Sequence, residues 1–146
     1  MSTGNSVILK SFNNAVREEA ICDGTPLPGH LLKIVSTGHF AVHATAGGNA
    51  QKRFAIEDEL QGKDITTAYT VSTLCQAVIA QSGEFIQARL KASENVAIGD
   101  YLESAGNGTL QVVTADSADL YNQNVVAVAR EASNVGTVAR IAVQIV

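Results

Sequence analysis

The chain has 146 residues and a formal net charge of −4, from 10 Lys+Arg against 14 Asp+Glu. That length fits one domain able to bury its own core, and a hydrophobic content of 46% excludes a chain that is disordered throughout. Apart from Lys52-Arg53 the basic residues are scattered, whereas nucleic-acid binders cluster Lys and Arg against the phosphates. We therefore expect no nucleic-acid partner.

Neither a membrane span nor a secretory signal is expected. No apolar run approaches the ~18–20 residues that cross a bilayer, and the opening Met-Ser-Thr-Gly-Asn-Ser lacks the basic and apolar regions of a signal peptide. The two cysteines, Cys22 and Cys75, form neither a CxxC motif nor part of a disulfide framework. We predict two buried thiols in a protein made in a reducing cytoplasm, with a disulfide between them as the alternative.

Residues 1–17 predict an extended N-terminal arm, and residues 18–146 a β-rich body. The arm is polar and rich in Asn and Ser, and it is interrupted by a short apolar patch at Val7, Ile8 and Leu9, with Phe12 nearby. Such a patch is too short to fold alone, but it can add a strand to the sheet edge of another chain. A frayed terminus is the alternative.

Short strands separated by Gly and Pro turns follow. The runs 30–35 and 39–44, joined by a turn at Gly38, predict a hairpin. The stretch 66–81 is ambiguous, because its apolar residues keep helical spacing while its Thr and Tyr residues favour a strand. We predict a strand over 70–80, with a short helix as the alternative.

In the second half of the chain, side chains alternate more regularly between the two faces of the predicted strands. A strand is predicted after Gly83, with Phe85, Gln87 and Arg89 on one face and Ile86, Ala88 and Leu90 on the other. Gly106-Asn107-Gly108 predicts a hairpin. The last two strands are predicted at 124–130 and 137–146, the final one with Ala139, Ile141, Val143 and Ile145 on its buried face. About nine short strands with little helix predict an all-β fold, a small single-domain β-barrel or sandwich.

No motif indicates catalysis, so we expect no enzyme and no cofactor. Ser104 lacks the leading glycine of a nucleophile elbow, and the Gly-rich stretches carry no Lys-Ser/Thr that would hold phosphate. An enzyme of the dUTPase type would match in length and strand content, but its glycine-rich C-terminal arm and its Tyr-containing uracil hairpin have no counterpart here. A tail or carbohydrate-binding module is the other alternative, although Trp is absent.

A metal site is not expected either. His39 and His43 stand four residues apart, which suits a ligand pair on a helix, but on a strand four residues span roughly 13 Å. We predict that both lie on a strand surface, and that His30 does not complete a metal site with them. The run Glu57-Asp58-Glu59 lacks the spacing of a calcium loop, so a solvated charged turn is predicted.

Several stretches together resemble tailed-phage head decoration proteins, also called capsid cement proteins. The similarity rests on HATAGGNA (43–50), FAIE (54–57), GKDI (62–65) with Tyr69, GEFIQARL (83–90), VAIGDYL (96–102), GNGTL (106–110), VAVAREA (126–132) and RIAV (140–143). It covers roughly residues 20–146.

The resemblance implies a tulip-like β-body, assembled as homotrimers on the outer surface of the virion capsid after synthesis in the host cytoplasm. It also implies that the N-terminal arm lies on the major capsid protein and that the protein stabilises contacts between capsid subunits after shell expansion. On this reading the capsid-binding residues are Val7, Ile8, Leu9 and Phe12, and the partners are the major capsid protein and other copies of the chain.

Overall fold

The computed structural model describes residues 5–11, 15–114 and 124–146, and in this part of the chain the fold is all-β. It has thirteen strands and one turn of 3-10 helix over Glu59–Gln61. No helix among the described residues is long and apolar enough to span a bilayer. The prediction of an all-β fold is confirmed.

The strands are short, as the frequent Gly and Pro turns predict. In chain order they are β1 (Ile8–Lys10), β2 (Val16–Ile21), β3 (Leu31–Ile34), β4 (Phe40–Val42), β5 (Arg53–Ala55), β6 (Leu74–Ile79), β7 (Phe85–Leu90), β8 (Asn95–Val96), β9 (Tyr101–Ser104), β10 (Leu110–Val112), β11 (Ala127–Ala129), β12 (Ser133–Asn134) and β13 (Ala139–Ile145). The short strands β8 and β12 pair with each other.

Five strands of the largest sheet close into a barrel. Their order is β7-β10-β9-β11-β13, and the antiparallel pairing of β13 with β7 returns the sheet to its start. Closure leaves these strands without a free lateral edge. Strand β1 lies outside the ring and adds to β7, with Ile8 opposite Ile86 and Lys10 opposite Phe85.

The second sheet has the order β2-β6-β5-β3-β4 and is antiparallel. It curls so strongly that Cys22, just after β2, forms a parallel bridge with Phe40 at the start of β4. A separate small core fills the curl, with Cys22, Leu32, Phe40 and Cys75 among its members.

Backbone hydrogen bonds join the barrel to the second sheet at the β9–β10 loop. The N–H of Leu31 donates to the carbonyl of Gly108 at 2.7 Å, and the N–H of Gly108 donates to His43 at 3.0 Å. The larger hydrophobic core contains residues of both sheets, including Phe54 from β5 and Leu90 from β7. The larger core is therefore shared by the two sheets, whereas the smaller one belongs to the second sheet and its loops.

Most of the strand predictions agree with the structure. The hairpin over 30–35 and 39–44 is the antiparallel pair β3–β4, and the ambiguous stretch contains a strand, β6, rather than a helix. In β13 the predicted face is the buried one, because Ala139, Ile141, Val143 and Ile145 are at most 2% exposed. Residues 124–130 yield only the three-residue strand β11.

Candidate interaction surfaces

The N-terminal residues predicted to bind a partner take different positions in the fold. Val7 is fully buried in the larger core, and Ile8 is half-buried on β1. Leu9 is 38% exposed, and Phe12 lies outside the described residues. Strand β1 pairs with β7 of the same chain and β2 begins at Val16, inside the predicted arm. Of the described members, Leu9 is the one that presents an exposed apolar side chain.

A buried carboxylate holds the start of this segment. Glu57, only 6% exposed, accepts hydrogen bonds from the Ser6 hydroxyl at 2.6 Å and from the Val7 N–H at 3.0 Å. The Val7 carbonyl in turn accepts from the N–H of Gln87 on β7. The prediction of a solvated turn is therefore wrong for Glu57 and right for the exposed Glu59. Sequence reasoning missed this contact because its partners lie about fifty residues apart.

His43 is not on the strand surface, which corrects the sequence prediction. It is 5% exposed; its Nδ1 lies 2.7 Å from Ser104 Oγ and its Nε2 lies 2.9 Å from the carbonyl of Asn49. A carbonyl only accepts, so Nε2 carries the proton and Nδ1 accepts from the serine hydroxyl. Ser104 is itself fully buried and also accepts from Gly106 N–H. This serine–histidine pair is closed to a substrate and joins the barrel to the second sheet.

The other histidines also have structural partners. His39 follows the hairpin turn, directly before β4, and its Nδ1 is 2.7 Å from the carboxylate of Asp23. His30 is half-buried and accepts from the N–H of Leu27. Burial and the nearby charge of Arg89 lower the pKa of His30 from 6.5 to about 4. Within the described residues no three potential ligands gather as a metal site.

Both cysteines are free and buried, as predicted, and the alternative disulfide is not formed. The thiol of Cys22 donates to the carbonyl of Thr70 at 3.1 Å. Burial, the nearby Cys22 and the charge of Asp58 raise the pKa of Cys75 to about 12. Because the thiolate is the reactive form, Cys75 is inert in the folded protein.

An exposed apolar patch lies at one end of the second sheet. Ile21 and Leu74 are direct cross-strand partners on β2 and β6, and they are 39% and 58% exposed. Val71, 53% exposed, belongs to the preceding turn, which the Ser72 N–H anchors to the carbonyl of Cys22. We call Ile21, Val71 and Leu74 the end patch. Contiguous exposed apolar groups of this kind mark interaction surfaces more often than isolated ones do.

A small pocket lies beside β1 and β7 on the outer face of the barrel. Its base is Phe85, whose ring centroid is 5.1 Å from Lys10 Nζ and 5.2 Å from Arg130 Cζ. Both distances allow cation–π attraction. The pocket has a volume of about 190 Å³ and is lined by Lys10, Ser11, Gly83, Glu84 and Phe85. Its lining holds one basic and one acidic side chain, Lys10 and Glu84, and we call it the Phe85 pocket.

A depression beside β2 carries charged side chains of both signs. The 3-10 turn lines it with Glu59 and with Leu60, which is 82% exposed. Glu19 on β2 lines the same depression, together with Arg17 as its basic member.

Comparison with known proteins identifies the fold through a solved structure. No protein-family model matches the chain, and no curated protein matches its sequence. The chain is similar in structure to the N base of the head fiber gp8.5 of bacteriophage phi29, with a TM-score of 0.58 and 15% sequence identity. The match covers 91% of this chain and 95% of that one. At this identity the likeness shows the fold, and it is the fold of a phage head protein, the class that the sequence resembles.

Proposed function

We propose that this chain is a bacteriophage virion structural protein that binds the outer surface of the expanded head and stabilises contacts between major capsid subunits. The observation that carries the proposal is the structural likeness, over 91% of this chain, to the N base of a phage head fiber. The resemblance of residues 20–146 to head decoration proteins supports it independently, because that resemblance rests on the sequence. A non-catalytic role accords with the sealed serine–histidine pair of Ser104 and His43.

Stabilisation would arise by mass action. A protein that binds the expanded shell and not its precursor lowers the free energy of the expanded state by an amount set by its differential affinity. Many copies on one shell add their contributions, so each contact can be weak. A homotrimer would gain further from multivalency, because its second and third contacts form at high effective concentration.

The contact surface we propose is β1 with its flanking residues. Val7, buried in the core, anchors the segment; Ile8 and the outer backbone edge of β1 face the capsid together with Leu9. Phe12 is proposed as a further contact from the sequence alone. An exposed strand edge can accept a strand from another chain through main-chain hydrogen bonds. The end patch offers a second apolar contact.

Co-sedimentation with expanded empty shells of its own virus tests the proposal. We expect saturable binding by the wild type, and at least tenfold weaker binding by Leu9→Asp and by Leu74→Asp. Ile98→Asp is the matched control, because Ile98 is 67% exposed and lies outside both surfaces. Unchanged occupancy by Leu9→Asp would remove the N-terminal segment from the mechanism. Failure of the wild type to bind expanded shells would overturn the proposal.

A further inference from the structure

The β9–β10 loop contains the one Asn-Gly step of the sequence, Asn107-Gly108. Asparagine followed by glycine is the dipeptide most prone to deamidation, because glycine has no side chain to hinder the attack of its backbone nitrogen on the neighbouring amide. Asn107 is exposed, whereas Gly108 is buried. The nitrogen that attacks and the amide that is attacked therefore have different surroundings.

The backbone of Gly108 is bonded on both sides to the second sheet. Its N–H donates to the carbonyl of His43 at 3.0 Å, and its carbonyl accepts from the N–H of Leu31 at 2.7 Å. We call these two hydrogen bonds the joint. The packing around them is tight, since a Cβ at Gly108 would lie 3.1 Å from side-chain atoms of His30 and Val42. While the joint is closed, the nitrogen of Gly108 is engaged with another acceptor.

The side chain of Asn107 is held as well. Its Oδ1 accepts from the N–H of Thr109 at 3.2 Å and from the Thr109 hydroxyl. An asparagine that bonds to the backbone two residues further on forms a turn of its own, and the two bonds fix the direction of the amide. Deamidation brings the amide carbon to bonding distance of the Gly108 nitrogen. Both groups must therefore leave their partners before they can react.

We propose that Asn107 is a modification site that the closed joint protects and that reacts when the joint opens. In the reaction the nitrogen of Gly108 forms a bond to Cγ of Asn107 and loses its proton, the bond from Cγ to the amide nitrogen breaks, and ammonia leaves. Water then opens the cyclic imide at one of its two carbonyls, which yields aspartate or isoaspartate. No group is oxidised or reduced. The inference stands independently of the proposed function, because it concerns the chain without a shell.

The isoaspartate product cannot rebuild the joint. Its main chain runs through the former side chain and is one carbon longer, which displaces the N–H and carbonyl of Gly108 from His43 and Leu31. Buried backbone groups without partners are costly, so this product makes an opening of the joint permanent. The aspartate product, in contrast, keeps the length of the backbone and an oxygen acceptor for Thr109.

Mass spectrometry of the full-length protein tests the protection. The wild type is incubated in mildly alkaline buffer with and without guanidinium chloride, and tryptic peptide 92–130 is then sequenced; Asn95 in this peptide precedes valine and is the internal control. Deamidation of Asn107 should be at least about tenfold slower in the folded protein, because the reaction requires opening. Gly106→Ala, which crowds the same loop, should deamidate at least about fivefold faster than the folded control Gly38→Ala.

Refolding of the modified chains tests the consequence. The isoaspartate form, separated by chromatography, should unfold at a lower temperature than the wild type. Asn107→Asp carries the same new charge on an unaltered backbone and should unfold within about 2 °C of the wild type. Equal rates of Asn107 deamidation in the folded and denatured wild type would overturn the protection, and equal midpoints for the isoaspartate form and Asn107→Asp would overturn the permanent opening. Neither result bears on shell binding, which the co-sedimentation experiment measures separately.

Discussion

The carboxylate of Glu57 accepts a hydrogen bond from the backbone N–H of Val7 at 3.0 Å, across fifty positions of the chain. This contact fixes the N-terminal strand between the two sheets, because Glu57 follows β5 of the second sheet while the Val7 carbonyl bonds to Gln87 of the barrel. Val7 is fully buried in the larger core. The start of the first strand is thus held by the side chain of Glu57 from the second sheet and by the backbone N–H of Gln87 from the barrel.

Removing this carboxylate should destabilise the protein. Glu57→Leu leaves the Val7 N–H and the Ser6 hydroxyl without their acceptor, and buried unpaired donors are costly. We expect the free energy of unfolding to fall by about 2–4 kcal/mol, measured by urea unfolding. Glu59→Gln, on the same loop but exposed, is the control and should change it by less than about 0.5 kcal/mol. Equal midpoints for the two variants would show that the contact contributes nothing.

A side chain at Gly106, in the loop that joins the sheets, should destabilise the protein more than one at Gly38. A Cβ there would lie 2.9 Å from the backbone nitrogen of Ala46, and Gly106 also has a positive φ of 91°. Gly38, with φ of 81° and open space around it, is the matched control. We expect Gly38→Ala to cost about 1–2 kcal/mol from backbone strain and Gly106→Ala to cost about 1–3 kcal/mol more. Thermal unfolding measures both, and equal costs would contradict the close approach.

His30 should make stability depend on pH. Its pKa is about 4 in the folded protein and 6.5 ordinarily, so the unfolded chain binds the proton more readily and protonation favours unfolding. The contribution of His30 to the free energy of unfolding is fully present above pH 6.5 and is lost as the pH falls to 4. His30→Asn keeps an acceptor for the Leu27 N–H and does not titrate. The stability difference between wild type and variant should fall by up to about 1.4 kcal/mol per pH unit in this window; a constant difference would refute the shift.

The reactivity of the two cysteine thiols should distinguish the folded from the unfolded protein. Cys22 and Cys75 are fully buried, and the pKa of Cys75 is raised to about 12. We expect neither thiol to react with N-ethylmaleimide at pH 8 in the folded protein, and both to react in denaturing urea. Mass spectrometry counts the adducts. Labelling of the folded protein at the rate of an exposed thiol would contradict the buried position of these side chains.

The sequence is most informative where the determining contacts are local. The alternation along β13 identifies its buried face, and the glycine turns identify the hairpins, because side-chain direction and turn geometry follow from neighbouring residues. In the stretch 66–81 the local signals conflict, and pairing with β2 and β5 makes β6 a strand.

The burial of particular polar side chains could not be predicted from neighbouring residues in the sequence. Glu57 stands in an acidic run and His43 beside a glycine turn, and such settings are typical of the surface. Each is buried because a partner arrives from a distant segment, Val7 in one case and Ser104 in the other. Val7, one of the predicted capsid-binding residues, is likewise buried because it pairs with segments that are distant in the sequence. Pairing between distant segments follows from topology, which one sequence does not specify.

The ring of strands also sets an order for folding during synthesis. Strand β7 closes the barrel through β13, which joins Leu90 to Ala139 and Phe85 to Gln144. Until the chain as far as β13 has left the ribosome, β7 therefore exposes an unpaired edge, and such edges recruit strands from neighbouring nascent chains. Non-local pairing of this kind is slow to form. The yield of folded protein should thus depend on how soon β13 follows β7 in synthesis, and on how far apart neighbouring ribosomes keep their unfinished barrels.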